Sequence, residues 1–198
     1  MEIENFYTTP IGTFHVKDSL QFNKELSNYI LNLKQEDNPQ RSMFGGYHTK
    51  EDLLDSDNSY IKQFHKLISE KIKEYYSHIT DKNIGPNTKL VSWGMIYNSG
   101  DFSKPHSHPL ADLSSSYYCK VPKDLSDGEG EFVHTDPRPN SKWDINFTDT
   151  SSNQIKIKEG QGLIFPGWLD HYVTPHKSKD TRICISTNVF IDHGTFFK

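Results

Sequence analysis

Residues 105–109 read PHSHP and residues 169–171 read LDH, so His106 and His108 stand one residue apart and His171 follows 63 positions after His108. On extended backbone, residues i and i+2 point to one face. The pair can therefore offer two imidazoles to a single point, and neutral imidazole is a good ligand for iron, zinc, copper or nickel. Two such histidines can equally line a polar loop end with no ion between them, so the surrounding chain has to decide. Pro105 and Pro109 bracket the pair and place it at a strand end rather than inside a ladder. Arg182 stands 11 residues after His171, at the start of the strand-like run TRICISTNVFI. A guanidinium there can grip the carboxylate of a metal-bound ligand bidentately. Read alone, after the charged turn KSKD, it is a solvated surface residue.

Three distant segments converge only if short strands bring them side by side. After the break GPNTK at 85–89, such runs alternate with turn clusters: LVSWGMIYN (90–98), SSSYYCKVP (114–122), GEFVHTD (130–136), QIKIKE (154–159), GLIFPG (162–167), HYVTPH (171–176) and TRICISTNVFI (181–191). Their separators, NSGD, SDGEG, DPRPNS and EGQG, are turn chemistry. Before residue 85 the pattern is helical. Phe22, Leu26, Tyr29, Ile30 and Leu33 recur at helical spacing in 18–36, behind Asp18 or Ser19 as N-cap. Ile61, Phe64, Ile68, Ile72, Tyr75 and Ile79 form a second stripe in 59–79, with His65 and His78 beside or off it. Residues 37–58 read as loop, with one helical turn at KEDLLD. Two helices followed by seven or eight strands predict a mainly β jelly roll with helices packed on one sheet. The expected organisation is one domain over 1–198, with 1–85 helical and 86–198 forming the jelly-roll core.

Composition narrows the function. The net charge is −4 with no block of Lys or Arg, which argues against nucleic-acid binding through a basic face. No apolar run approaches the length of a membrane span, and MEIENFYTTPIG carries no secretory signal. Cys119 and Cys184 lie in apolar strand-like runs without a CxxC. They are expected as buried thiols in a reducing, cytoplasmic setting.

Residues 93–190 resemble the 2-oxoglutarate- and Fe(II)-dependent oxygenases of the prolyl-4-hydroxylase-like branch. The resemblance rests on Tyr97, Gly100, His106 and position 108, on YYCKVP (117–122), on GEGEF, and on GLIFP, His171 and Arg182 in order. WGMIYNSGDFSKPHSHP, SSSYYCKVP, DPRP and FPGWLDHYVTP look closer still to a subgroup from marine bacteria and their phages. The resemblance implies a double-stranded β-helix, one Fe(II), and 2-oxoglutarate chelating it through a carboxylate and a keto oxygen. It implies decarboxylation to succinate coupled to oxidation of a C–H bond by dioxygen, on a small molecule or on a peptide or protein residue. Carried over by position, His106 and His171 are metal ligands and Arg182 meets the distal carboxylate. Tyr97 and Tyr118 bind the same co-substrate, and Tyr117 faces the opposite side of its sheet.

The sequence departs from the family at position 108, where a carboxylate is usual. His108 can itself ligate, can point away, or can be replaced by a carboxylate such as Asp112 or Asp136. The first is expected, because the side-chain parity is right and imidazole is a competent donor. It leaves one more unit of positive charge on the ion. Asp136 and Arg138 read as turn residues or as substrate contacts at the barrel mouth. Trp168 is expected in the pocket wall or in the core. His134, His176 and His193 have no partner pattern, and Asp170 has the wrong parity to orient His171. Two alternatives remain: a non-catalytic metal-binding jelly roll, and a three-histidine dioxygenase independent of 2-oxoglutarate, which would not need Arg182. Loops 37–58, 99–113 and 137–153 are expected to set specificity. Neither the primary substrate nor the oligomeric state is encoded legibly.

Overall fold

The computed structural model describes residues 8–33, 42–138 and 152–192. Helix α1 spans Leu20–Leu33 and buries Asn23, Leu26, Ser27 and Ile30, one face at three- and four-residue spacing. Ser19 stands at its entry, where its hydroxyl accepts from Asn23 Nδ2 at 3.0 Å. Helix α2 spans Ser59–Thr80. Asn58 caps it, its Oδ1 accepting from the backbone N–H of Tyr60 at 2.9 Å and of Ile61 at 3.3 Å. Ile61, Phe64, Ile68, Ile72 and Tyr75 form its buried stripe, whereas His65 and His78 are exposed. Each such aliphatic residue contributes about 1.5–3 kcal/mol by leaving water.

Among the described residues eleven strands follow one another as β1 (Gly12–His15), β2 (Met43–Phe44), β3 (Tyr47–His48), β4 (Lys89–Tyr97), β5 (Phe102–His106), β6 (Leu113–Lys120), β7 (Phe132–Thr135), β8 (Ser152–Ile155), β9 (Gln161–Pro166), β10 (His171–Val173) and β11 (Arg182–Phe190). They form a six-stranded sheet, β1-β9-β6-β11-β4-β3, and a five-stranded sheet, β2-β5-β10-β7-β8. Every strand pairing is antiparallel. The result is a double-stranded β-helix with helices on one side. The two helices pack with Tyr117, Cys119, Ile183 and Ile185 on the outer face of the six-stranded sheet. The inner face, with Trp93, Met95, Tyr97, Tyr118 and Cys184, packs with Met43, Phe132 and Val173 of the other sheet.

Three short strands, β1 to β3, lie in the stretch that periodicity marked as helix and loop. Two of them have only two residues, too few for alternation to register. A single 3-10 turn at Leu53–Asp55 falls within KEDLLD. Residues 139–151 of the third specificity loop, and His193, lie outside the described residues.

Candidate metal centre

His106 ends β5 and His171 begins β10, and the two are register partners. His108 lies just past β5 in a backbone clamp. Its N–H donates to the Gly167 carbonyl at 2.7 Å and its carbonyl accepts from Ala111 N–H at 2.9 Å. A Cβ at position 167 would meet the Ala111 carbonyl oxygen at 2.0 Å, so this close approach requires glycine there.

The three rings converge. Centroids are 4.4 Å apart for His106–His171, 5.2 Å for His106–His108 and 5.3 Å for His108–His171. One ring nitrogen from each lies within 4.8 Å of the others, a set that can hold a metal ion. His106 Nδ1 is 2.7 Å from the Lys104 carbonyl oxygen and His171 Nδ1 is 2.9 Å from that of Leu169. A carbonyl only accepts, so each Nδ1 carries the proton and each Nε2 keeps its lone pair for a ligand bond. Ser42 Oγ lies 3.3 Å from His106 Nε2. Phe132 and Phe165 pack on His171, and Trp93 on His108.

Burial in this apolar surround, reinforced by neighbouring His106, holds His108 down to about 4 and His171 to about 3. His106 is lowered by burial too. At neutral pH the imidazoles are uncharged, the form that binds metal.

Among the described residues no carboxylate joins this group. Asp112 Oδ2 accepts from Ile191 N–H at 2.7 Å, and Asp136 takes Arg138 Nε at 3.0 and 3.1 Å. Asp170 and Trp168 are exposed. His134 is the register partner of His171 across β7. His176 is buried behind Tyr97, with Nε2 3.3 Å from the Tyr97 carbonyl oxygen.

A cavity of about 280 Å³ lies between the sheets, walled by the three histidines, Arg182, Tyr97 and alternate residues of β4, β6 and β11. Arg182 is 1% exposed. Its guanidinium carbon sits 4.8 Å from the Tyr97 ring centroid and 5.0 Å from that of Tyr118, a cation held between two aromatic faces. Its polar contact is weak, Nη1 to Cys184 Sγ at 3.8 Å, and its Nε has no partner. Among the described residues no carboxylate pairs with it. Among the described residues the Tyr118 hydroxyl has no partner in hydrogen-bond geometry, and that of Tyr97 reaches Met95 Sδ at 3.8 Å. Burial pushes both phenols up, so they remain protonated donors.

Sequence reasoning did not single out Trp93, Ser116, Ser186, Asn188, Ser42 or His48, all of which line the same cavity. Trp93 shares the parity of Tyr97 on β4, and Ser186 and Asn188 that of Arg182 on β11. Strand alternation could have found these three. Ser42 and His48 come from the short strands and their flanks, which gave no signal.

The interior of this jelly roll joins three convergent neutral imidazoles, a set that can hold a metal ion, to a buried guanidinium with no carboxylate partner among the described residues. Residues 91–188 match the model of the family described as "Putative 2OG-Fe(II) oxygenase". The chain belongs to this family: it is an oxygenase that uses Fe(II) and 2-oxoglutarate. No curated protein matches the chain. Solved structures share its fold. A prolyl-4-hydroxylase from Pseudomonas putida has TM-score 0.65 at 10% identity, covering 92% of each chain. A Trichoplax adhaerens prolyl hydroxylase, in complex with a hypoxia inducible factor peptide fragment, has TM-score 0.61 at 15% identity, covering 91% of this chain and 83% of that one. HygX from Streptomyces hygroscopicus, with nickel, 2-oxoglutarate and hygromycin B bound, has TM-score 0.64 at 12% identity, covering 98% of this chain and 86% of that one.

Proposed function

We propose that His106, His108 and His171 hold the Fe(II), that Arg182 receives the distal carboxylate of 2-oxoglutarate, and that Tyr97 and Tyr118 orient that co-substrate. The observation that carries this reading is the unpaired Arg182. A buried guanidinium without an anion is unfavourable by several kcal/mol, and a carboxylate arriving in the cavity removes that penalty while satisfying Nε and the Tyr118 hydroxyl. The donor set fits the ion equally well, with neutral rings, two Nδ1–H groups tied to carbonyls, and apolar walls. An ion held by three neutral ligands keeps its full charge and attracts a dianionic co-substrate strongly.

When bound, iron with 2-oxoglutarate and dioxygen supplies oxidation of an unactivated C–H bond, with succinate and carbon dioxide as co-products. The chain's own share is positional. His106 and His171 are locked as Nε2 donors, Arg182 fixes one end of the co-substrate, and Phe132, Phe165 and Trp93 keep water from the rings. The primary substrate is a small molecule or a peptide residue, the two kinds that the HygX and Trichoplax structures hold. Residues 1–85 and 86–198 act as one oxygenase domain. The buried free thiols of Cys119 and Cys184 suit a reducing, cytoplasmic setting.

The test incubates the protein with Fe(II), 2-oxoglutarate and oxygen across a broad substrate panel. Succinate formation above a metal-free control is expected. Calorimetric binding of 2-oxoglutarate by the metal-loaded protein separates this reading from a metal-only jelly roll and from a dioxygenase that ignores the co-substrate.

A further inference from the structure

Register organises the inner face of the six-stranded sheet into rows. Tyr97 pairs with Arg182, and Met95 pairs with Cys184, which pairs with Tyr118. Trp93 pairs with Ser186, which pairs with Ser116, and Asn188 pairs with Ser114. The first two rows belong to the co-substrate in the reading above, on which this inference rests. The last two contain polar groups that reading does not use.

Trp93 is 5% exposed, its ring forms part of the cavity wall, and its indole N–H has no acceptor. It packs between His48, at 5.4 Å and 13°, and His108, at 6.0 Å. One row on, Ser114 Oγ donates to Asn188 Oδ1 at 3.1 Å. The Thr187 carbonyl lies farther from the same hydroxyl, at 3.4 Å, so the shorter bond to Asn188 Oδ1 is favoured, and the amide NH₂ then meets no partner among the described residues. Ser186 Oγ has only Met95 Sδ and Ser116 Oγ, each at 3.4 Å. A buried N–H left without an acceptor costs about 1–3 kcal/mol, so this wall favours a ligand that accepts hydrogen bonds.

We propose that Trp93 and Asn188, supported by Ser186 and Ser116, form the primary-substrate subsite, and that the group it holds is an uncharged carbonyl such as a carboxamide or peptide C=O. The donors are neutral. Among the described residues Arg182 is the only Lys or Arg on the cavity wall, and the co-substrate occupies it. With that cation engaged, an anionic substrate group would be desolvated against neutral donors without a counter-charge, whereas a neutral carbonyl accepts from Trp93 and Asn188 without that penalty.

The test uses ¹⁵N-labelled, zinc-loaded protein saturated with 2-oxoglutarate. Its tryptophan indole resonances are few, and that of Trp93 is assigned by its loss in Trp93→Phe. Propionamide should move this resonance downfield in a saturable way, and propionate at equal concentration should not. Asn188→Leu should raise the apparent Kd for propionamide about five- to tenfold, the equivalent of one neutral hydrogen bond. An unmoved resonance, an equal response to propionate, or an unchanged Kd in Asn188→Leu overturns the proposal. Calorimetry with 2-oxoglutarate on the same sample keeps the two readings apart. Binding without a propionamide response overturns the subsite alone, and no binding overturns the co-substrate assignment beneath it.

Discussion

The two faces of the six-stranded sheet are built from the same strands and differ in how their polar groups are treated. On the outer face, Tyr117 packs against Phe14, Phe22 and Phe64 and donates its hydroxyl to Asn23 Oδ1 at 2.6 Å. On the inner face, the next residue, Tyr118, is equally buried, but among the described residues its hydroxyl has no partner and the Arg182 guanidinium beside it meets no anion. On the helix-covered side the polar atoms left unmet among the described residues are two hydroxyls, those of Ser27 and Ser115, whereas the inner face leaves a guanidinium Nε, an indole N–H and a phenol. The inner face stores unsatisfied donors at a cost in stability, which fits a surface that a ligand completes. Stability and function are thus separated across the thickness of one sheet.

Substitutions can break this contrast. The largest effect is expected at the metal itself. His108→Ala removes one of three converging donors and should abolish stoichiometric iron binding by metal analysis; full occupancy in that variant would rule His108 out as an essential ligand. Arg182→Met comes next. Loss of a buried charge-assisted contact should weaken 2-oxoglutarate at least about 30-fold by calorimetry. The ligand-free protein should melt no lower than the parent, because an uncompensated buried cation has been replaced by an apolar chain of similar volume. A clear drop in its melting temperature would mean that Arg182 serves the fold.

The pH response is of middle size and concerns the metal-free protein. His108 and His171 titrate well below 6.5 when folded, so the folded state binds fewer protons than the unfolded one. Stability should be unaffected by these groups above about pH 6.5 and fall as the pH drops from there towards 4. Each costs on the order of 1–2 kcal/mol by pH 5. Urea melts at pH 7.5 and 5.0, with and without zinc, would show it, and a metal-free curve that is flat over this window contradicts the burial argument. The smallest effect sharpens the comparison most. Tyr117→Phe strands Asn23 and should cost about 1 kcal/mol in a urea melt. Tyr118→Phe should cost nothing there but weaken 2-oxoglutarate by a few-fold. Equal losses of stability would erase the distinction between the faces.

Much of this was legible beforehand because alternation on long strands is a strong signal. Runs at 90–98 and 181–191 correspond to β4 and β11 within a residue or two, and the stripe from Ile61 to Tyr75 is the buried face of α2. The opposite parity of Tyr117 and Tyr118 was readable too, since neighbours on a strand must face different ways. β1, β2 and β3 were not, because strands of two to four residues carry too few alternations. Trp93 and Asn188 share the parity of Tyr97 and Arg182, yet an aromatic or an amide in a strand is ordinary until its surroundings show that its N–H groups lack acceptors.

The sequence by itself determined the residue types, the one-residue gap of His106 and His108, the 11-residue step from His171 to Arg182, and the strand parity that sends each to a face. These are local properties, fixed by backbone geometry. Only the tertiary structure decided that His108 turns inward beside His106 and His171 while Asp112 and Asp136 are engaged elsewhere. It also decided that Arg182 meets two aromatic rings instead of an acid. Those outcomes depend on which strands become neighbours and which loop closes over Gly167, and no single segment of the chain carries that information.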